Sequence, residues 1–186
     1  MPIVSAPDKR ILHIAGVDSA WQKLAIIIGR MIDHSPFTVR RVEWDDAIGA
    51  LRSVRKTVFV DEQSVPEHLE WDGIDDQCIH VLAETSARHP IGTGRLLPSG
   101  YIGRMAVLKP WRCRGVGSAL LTALLAAAKE LRFASVQLSA QTHAIGFYRR
   151  HGFETVSEEY LDAGIPHRAM RRATAISSPD SAQSPT

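Results

Sequence analysis

YIGRMAVLKPWRCRGVGSALLTALLAAAKELR, Tyr101 to Arg132, holds a strand, a turn and a long helix in one run. Apolar residues alternate through Tyr101–Leu108, the pattern of a half-buried strand. Lys109-Pro110-Trp111 ends it, because proline has no N–H to give to a ladder. From Val116 onward the chain is dense in Ala and Leu, both strong helix formers, with no further break after Gly117 before Arg132. The joint between the two is Arg112-Cys113-Arg114-Gly115-Val116-Gly117-Ser118. Glycines at a helix start let backbone N–H groups approach an anion closely, and the helix dipole adds positive potential there. Arg112 and Arg114 place full charges beside those amides. The joint is expected to hold phosphates. A plain strand-to-helix turn, with glycines for tight packing, is the alternative reading.

Outward from this centre the chain alternates between short strands and helices. Phe37–Val42 reads as a strand, and Asp45-Asp46 start a helix through Ala50, Leu51 and Val54 toward Val58. Ile79–Glu84 and Ile91–Leu97 are strands, with a hairpin at Pro98-Ser99-Gly100 leading into Tyr101. After the long helix, Ser135–Ser139 is a strand and Ala144–His151 a short helix stopped by Gly152. Phe153–Val156 and Arg168–Arg171 close the pattern. This order predicts an α+β domain over residues 36–172, a central mixed sheet flanked by helices. Residues 1–35 form an extension in which Trp21, Leu24, Ile28 and Met31 share one helical face, suited to packing or to a partner. The Ser- and Pro-rich tail, residues 173–186, is expected to be disordered.

Composition narrows the function. A chain of 186 residues supports one domain with a substantial core. The net charge of +2 is small and the basic pairs are scattered, so no nucleic-acid partner is expected. Two cysteines, Cys78 and Cys113, cannot build a disulfide framework, which suits a reducing cytoplasm. No apolar run reaches membrane-spanning length and no secretory signal pattern opens the chain, so a cytoplasmic location without a membrane is expected. Cys78 and His80 stand two apart with no second pair at zinc-ligand spacing, and no metal is expected.

The joint has neither the Gly-Lys-Ser/Thr of a Walker loop nor the GxGxxG of a dinucleotide fold. Its Arg-x-x-Gly-x-Gly after a strand resembles the acetyl-CoA motif of the GNAT superfamily of N-acetyltransferases. Gln141-Thr142-His143-Ala144-Ile145-Gly146-Phe147-Tyr148-Arg149-Arg150-His151-Gly152-Phe153 resembles the GNAT segment in which a short helix carries a Tyr ahead of a Gly-Phe turn. Val58–Pro66, Glu70-Trp71-Asp72-Gly73 and His80 resemble the small bacterial ElaA-like and YjcF-like members. Together these segments cover most of Pro36–Arg172.

The resemblance implies the GNAT acyl-CoA N-acyltransferase fold, acetyl-CoA as co-substrate and no metal. It implies that Arg112, Arg114, Gly115, Val116, Gly117 and Ser118 hold the pyrophosphate. It also implies a bulged strand that turns amides near Met105, Ala106 and Val107 toward the co-substrate. Gln141 stands where the family commonly has Asn, and its amide offers the same groups. Tyr148 is the expected acid for the departing thiolate, with packing beside Phe147 and Phe153 as its alternative role. A free alkyl amine is only about one part in 2,000 neutral at pH 7. A base or desolvation must therefore prepare it. His80 is the first candidate base, Glu62 the second, and a water relay the third.

Two other functions stay open at this point. Phe59, Glu62, Trp71, Asp72 and Asp75, with Gly94-Arg95-Leu96-Leu97-Pro98, resemble acyl-homoserine-lactone synthases, which generally lack the Arg-x-x-Gly-x-Gly loop. A catalytically silent CoA-binding module is the other. Between Thr57 and Ala87 there is no Lys or Arg, while Asp61, Glu62, Glu67, Glu70, Asp72, Asp75 and Asp76 lie there. Such a stretch either recruits a cationic amine along a cleft or is an ordinary solvated loop. The expected partner is a primary amine, on a small molecule or a protein, and a homodimer stays open.

Overall fold

The computed structural model describes residues 36–174. The expected helix near residues 19–34 and nearly all of the tail lie outside the described residues. One antiparallel sheet runs β1 (Phe37–Val42), β2 (Ile79–Thr85), β3 (Pro90–Leu96) and β4 (Ile102–Val107) in that order. A second is built on β8 (Ile165–Ala173), which pairs with β5 (Ser135–Gln141), β6 (Glu154–Thr155) and β7 (Tyr160–Asp162). The helices are α1 (Trp44–Arg55), α2 (Glu67–Glu70), α3 (Val116–Glu130) and α4 (Ile145–Arg150).

Each long helix forms for a local reason. In α1, Asp45 and Asp46 occupy the first turn and Arg52 and Arg55 the last, the charge order the helix dipole favours. Ala47, Leu51 and Val54 fall on one face and are buried. The helix then loosens into a π-helical stretch, Lys56–Glu62, where the Thr57 hydroxyl donates back to the Ser53 carbonyl at 3.0 Å. Such π-helical insertions are frequent at functional sites. In α3, Leu120, Leu121, Leu124 and Ala128 are fully enclosed. They pack with Val81, Ala83, Ile91 and Leu96 of the first sheet and Val136, Leu138 and Met170 of the second. A Cβ on Gly94 would lie 2.9 Å from Leu124 and 2.7 Å from Met105, so glycine there is what lets the helix settle on β3.

The expected central sheet with flanking helices is present, split into two antiparallel sheets that meet at one parallel bridge. Tyr101 pairs with Gln137, whose N–H donates to the Gly100 carbonyl at 3.2 Å. Beyond that bridge β4 and β5 share no ladder. Strand β7 was also not expected: its three residues are all exposed and carry no alternation. It exists because Ala163 and Gly164 both take positive φ, 49° and 78°, the twist that closes a tight hairpin.

Candidate active site

The gap between β4 and β5 is a cleft of about 630 Å³. Met105, Ala106 and Val107 form one wall, Ser139 and Gln141 the other, with the π-helical stretch and the β7–β8 turn at its margins. Thr93 faces Ala106 while Arg95 faces Gly103, so β4 spends one residue more than β3 over the same span. That extra residue is the expected bulge, with Arg104 held at φ 52°.

The phosphate joint lies next to this wall. Cys113 and Gly115 take positive φ, 59° and 85°. The first bond of α3 runs from the Ala119 N–H to the Gly115 carbonyl at 3.0 Å. The backbone N–H groups of residues 113–118 make no close, well-aligned hydrogen bond to the described residues. They form a concave run of donors at a helix start, suited to an oxyanion. Gly117 lies against Phe147 and Val107, the latter a cleft residue, so joint and cleft are continuous. Val116 contributes its backbone alone, because its side chain is buried in the core. Arg114 is exposed, with its guanidinium 5.6 Å above the Trp111 ring. Ser118 is half-buried in the first turn.

Arg112 departs from expectation. Its two terminal nitrogens donate to Glu62 at 2.6 and 2.7 Å, and Nε donates to the Val107 carbonyl at 2.9 Å. The hydrogen bond from Arg112 holds the Glu62 carboxyl below its ordinary range. Arg112 therefore clamps the π-helical stretch to β4 instead of presenting a free charge to phosphate.

Tyr148 lines the cleft from α4. Its ring is set edge-on between Phe147 and Phe153, with centroids 5.0 and 5.9 Å away. Burial, with the Tyr101 phenol nearby, pushes its pKa up to about 12. The hydroxyl makes no hydrogen bond to the described residues and stays neutral at working pH. Gln141 lines the opposite wall, where its Nε2 donates to Gln63 Oε1 at 2.9 Å.

His80 is not brought into the cleft. It is 1% exposed, and its Nε2 sits 2.7 Å from the Asp75 carbonyl, to which it donates. Trp44 covers the ring at 5.2 Å. Burial pushes its imidazole below the ordinary value despite the Asp75 contact. The resemblance suggests a base at this position, but the His80 ring packs against Trp44 of α1. His80 is a packing and hydrogen-bonding histidine.

The acidic stretch is largely paired, and two of its carboxylates, Glu70 and Asp75, are buried. Arg55 donates to Glu70 at 2.5 Å and to Asp75 at 2.7 Å, while Arg95 donates to Asp75 at 2.6 Å and also to Asp72. Arg104, on the bulge, reaches Glu70 Oε2 at 3.0 Å and Asp72 Oδ2 at 3.2 Å. Asp61 takes Lys56 and Glu62 takes Arg112. Glu70, Asp72 and Asp75 fasten the segment around α2 onto β3 and the β4 bulge, so they do not form a free acidic funnel. Sequence reasoning also passed over His167, Ser139 and Asp162, which line the cleft. The Ala163-Gly164 pair could have shown the hairpin that brings His167 and Asp162 there. Among the described residues no group of His, Cys, Asp or Glu is placed to hold a metal ion, and no helix is long and apolar enough to cross a membrane.

Comparison with known proteins agrees with this architecture. Residues 45–174 match the family model described as an acetyltransferase (GNAT) domain. The chain is similar to the uncharacterized N-acetyltransferase YjcF of Bacillus subtilis, 41% identical over 123 residues, covering 64% of this chain and 87% of that protein. It is similar to the crystal structure of an acyl-CoA N-acyltransferase from Pseudomonas aeruginosa, at 35% identity and TM-score 0.66, with 74% of this chain and 99% of that one covered. Escherichia coli ElaA is similar at 29% identity and TM-score 0.66, with 73% and 99% covered. The chain belongs to the GNAT acetyltransferase family, among its ElaA-like and YjcF-like members.

Proposed function

We propose that the protein transfers the acetyl group of acetyl-CoA to a primary amine by direct attack. The observation that carries this is the run of N–H groups at residues 113–118 that no described residue closely pairs, continuous with a cleft lined by a neutral Tyr148 hydroxyl that no described residue engages. The joint takes the pyrophosphate, and the thioester lies along the bulged β4. Amides near Met105, Ala106 and Val107 stabilise the oxyanion as it forms. Tyr148 gives its proton to the thiolate as the carbon–sulfur bond breaks. A small-molecule or protein amine in the cytoplasm is the acceptor class. With the carboxylates of the acidic stretch mostly spent on arginines, a strongly cationic acceptor has little free charge to meet.

Titration calorimetry with CoA and transfer of radiolabelled acetyl groups to pooled primary amines test the reading. Binding with transfer is the expected result. Binding without transfer leaves a silent CoA-binding module. Lactone formation with S-adenosylmethionine and acyl-CoA replaces it with the synthase reading.

A further inference from the structure

We infer that His167 is the general base that prepares the acceptor amine. The inference rests on the acetyl-transfer reading above and supplies the group that the exclusion of His80 leaves missing. His167 stands on β8 directly opposite Gln141 of β5, and both line the cleft. Along β5, Val136, Leu138 and Ala140 are buried in the core, so Ser139 and Gln141 face the other way. His167 shares that cleft face. It is 8% exposed, with the Tyr160 ring stacked 6.3 Å away. Tyr160 is held in turn by Ser139, hydroxyl to hydroxyl at 2.6 Å.

The ring has a defined polarity. Nδ1 lies 2.8 Å from the Ile165 carbonyl. A carbonyl only accepts, so Nδ1 carries the hydrogen and the neutral ring keeps its lone pair on Nε2. No described residue hydrogen-bonds Nε2. The other titratable groups around the cleft are less suited. Glu62 is bound by Arg112, and Glu70 by Arg55 and Arg104. His143 and Asp162 are exposed and without an orienting bond among the described residues. Tyr148 and Tyr101 are phenols kept neutral by burial.

Nε2 takes one proton from the ammonium and passes it to solvent. The amine nitrogen then attacks the thioester carbonyl, forming the carbon–nitrogen bond. The carbon–sulfur bond breaks, its electron pair leaves on sulfur, and Tyr148 protonates the thiolate. The second nitrogen proton, lost after attack, restores the phenol. The products are the amide, CoA thiol and one released proton.

Two variants separate this role from a structural one. His167→Asn places an amide nitrogen where Nδ1 was and keeps a donor for Ile165, whereas His167→Gln does not. Acetyl-CoA turnover is measured with ethylenediamine, phenethylamine and a lysine-terminated peptide. Both variants are expected to lose about 100-fold or more in kcat, with acetyl-CoA affinity near wild type. The acid limb of the wild-type pH profile should vanish in both. Ring-nitrogen NMR of the wild type, assigned by the signals lost in His167→Asn, should show the Nδ1–H tautomer. Near-normal turnover in His167→Asn with loss only in His167→Gln overturns the proposal, as does an Nε2–H tautomer. Wild-type protein that binds CoA but acetylates none of these amines removes the transfer reading and the base with it. In that case the tautomer still reports the ring independently.

Discussion

The hydroxyl of Tyr148 is the one part of that side chain that packing does not use. Its ring fills the space between Phe147 and Phe153, and Tyr148→Phe keeps that contact. Folding stability should change little, acetyl-CoA affinity should stay near wild type, and kcat should fall about 100- to 10,000-fold. Full kcat under rate-limiting chemistry would remove the acid role. The same substitution has a pH signature. A phenol raised from 10.0 to about 12 keeps its proton in the folded state, so its contribution to stability is complete below pH 10 and is lost as pH rises toward 12. Tyr148→Phe should flatten part of that alkaline loss, read by urea unfolding across the range. The two glycines of the joint make a second contrast. Gly115 holds φ 85° with open space where a Cβ would go, so Gly115→Ala costs conformation alone, about 1–2 kcal/mol. Gly117→Ala would meet Phe147 at 3.6 Å, an ordinary contact, and should leave stability intact. CoA affinity should drop in Gly115→Ala because the left-handed turn aims the amides. Equal affinity and stability in both variants would mean the turn has no such role.

At the scale of elements, the segment from α2 to β2 depends on arginines more than on apolar burial. Arg55 is fully buried between Glu70 and Asp75, with Trp71 4.9 Å from its guanidinium. Arg55→Met leaves two buried carboxylates short of a partner and should cost about 3–5 kcal/mol by denaturant unfolding. A loss below 1 kcal/mol would show that the segment holds by other means. The network also sets an acid response. The hydrogen bond from Arg95 lowers the Asp72 carboxyl to about 2, and Arg55 and Arg95 together outweigh burial to lower Asp75. Groups held below their unfolded values stabilise above those values, so this contribution disappears as pH falls from about 4 to about 2. Burial instead raises Glu70, which takes up its proton earlier and works in the opposite direction. None of this could be read from the chain, because Arg55 and Asp75 lie twenty residues apart and an acidic run reads alike whether solvated or paired. The strand β4, the joint and α3 were legible because their signals are local: alternation, two glycines, and a run of Ala and Leu. His80 and His167 show the limit of such signals. Both sit in strands, His80 between Ile79 and Val81 and His167 between Pro166 and Arg168, and only the assembled sheets decide which one faces the cleft.

Across the described domain, two sheets share α3 as a common floor but only one backbone bridge, Tyr101 to Gln137. The edges of β4 and β5 beyond that bridge carry peptide groups that no strand pairs, which is the condition an extended ligand can satisfy by lying between them. A CoA molecule would therefore act on the fold as well as occupy it, tying β4 to β5 while its phosphates engage residues 113–118. At a free concentration one hundred times Kd, binding stabilises the folded state by about 2.7 kcal/mol. For a chain of this length that corresponds to a rise in Tm of about 5–10 °C. Hydrogen exchange locates the effect. Amides of residues 105–107 and 113–118 should slow strongly when CoA is added, and those of 139–141 should slow with them. Amides of β1 and β2 should slow only as far as global stability rises, because those strands stand at the far side of the sheet from β4. Dephospho-CoA should give the same pattern in the strands, since the pyrophosphate and pantetheine are retained. Protection confined to residues 113–118, with the strand edges unchanged, would mean that the joint binds phosphate while the split between the sheets is not the acyl channel.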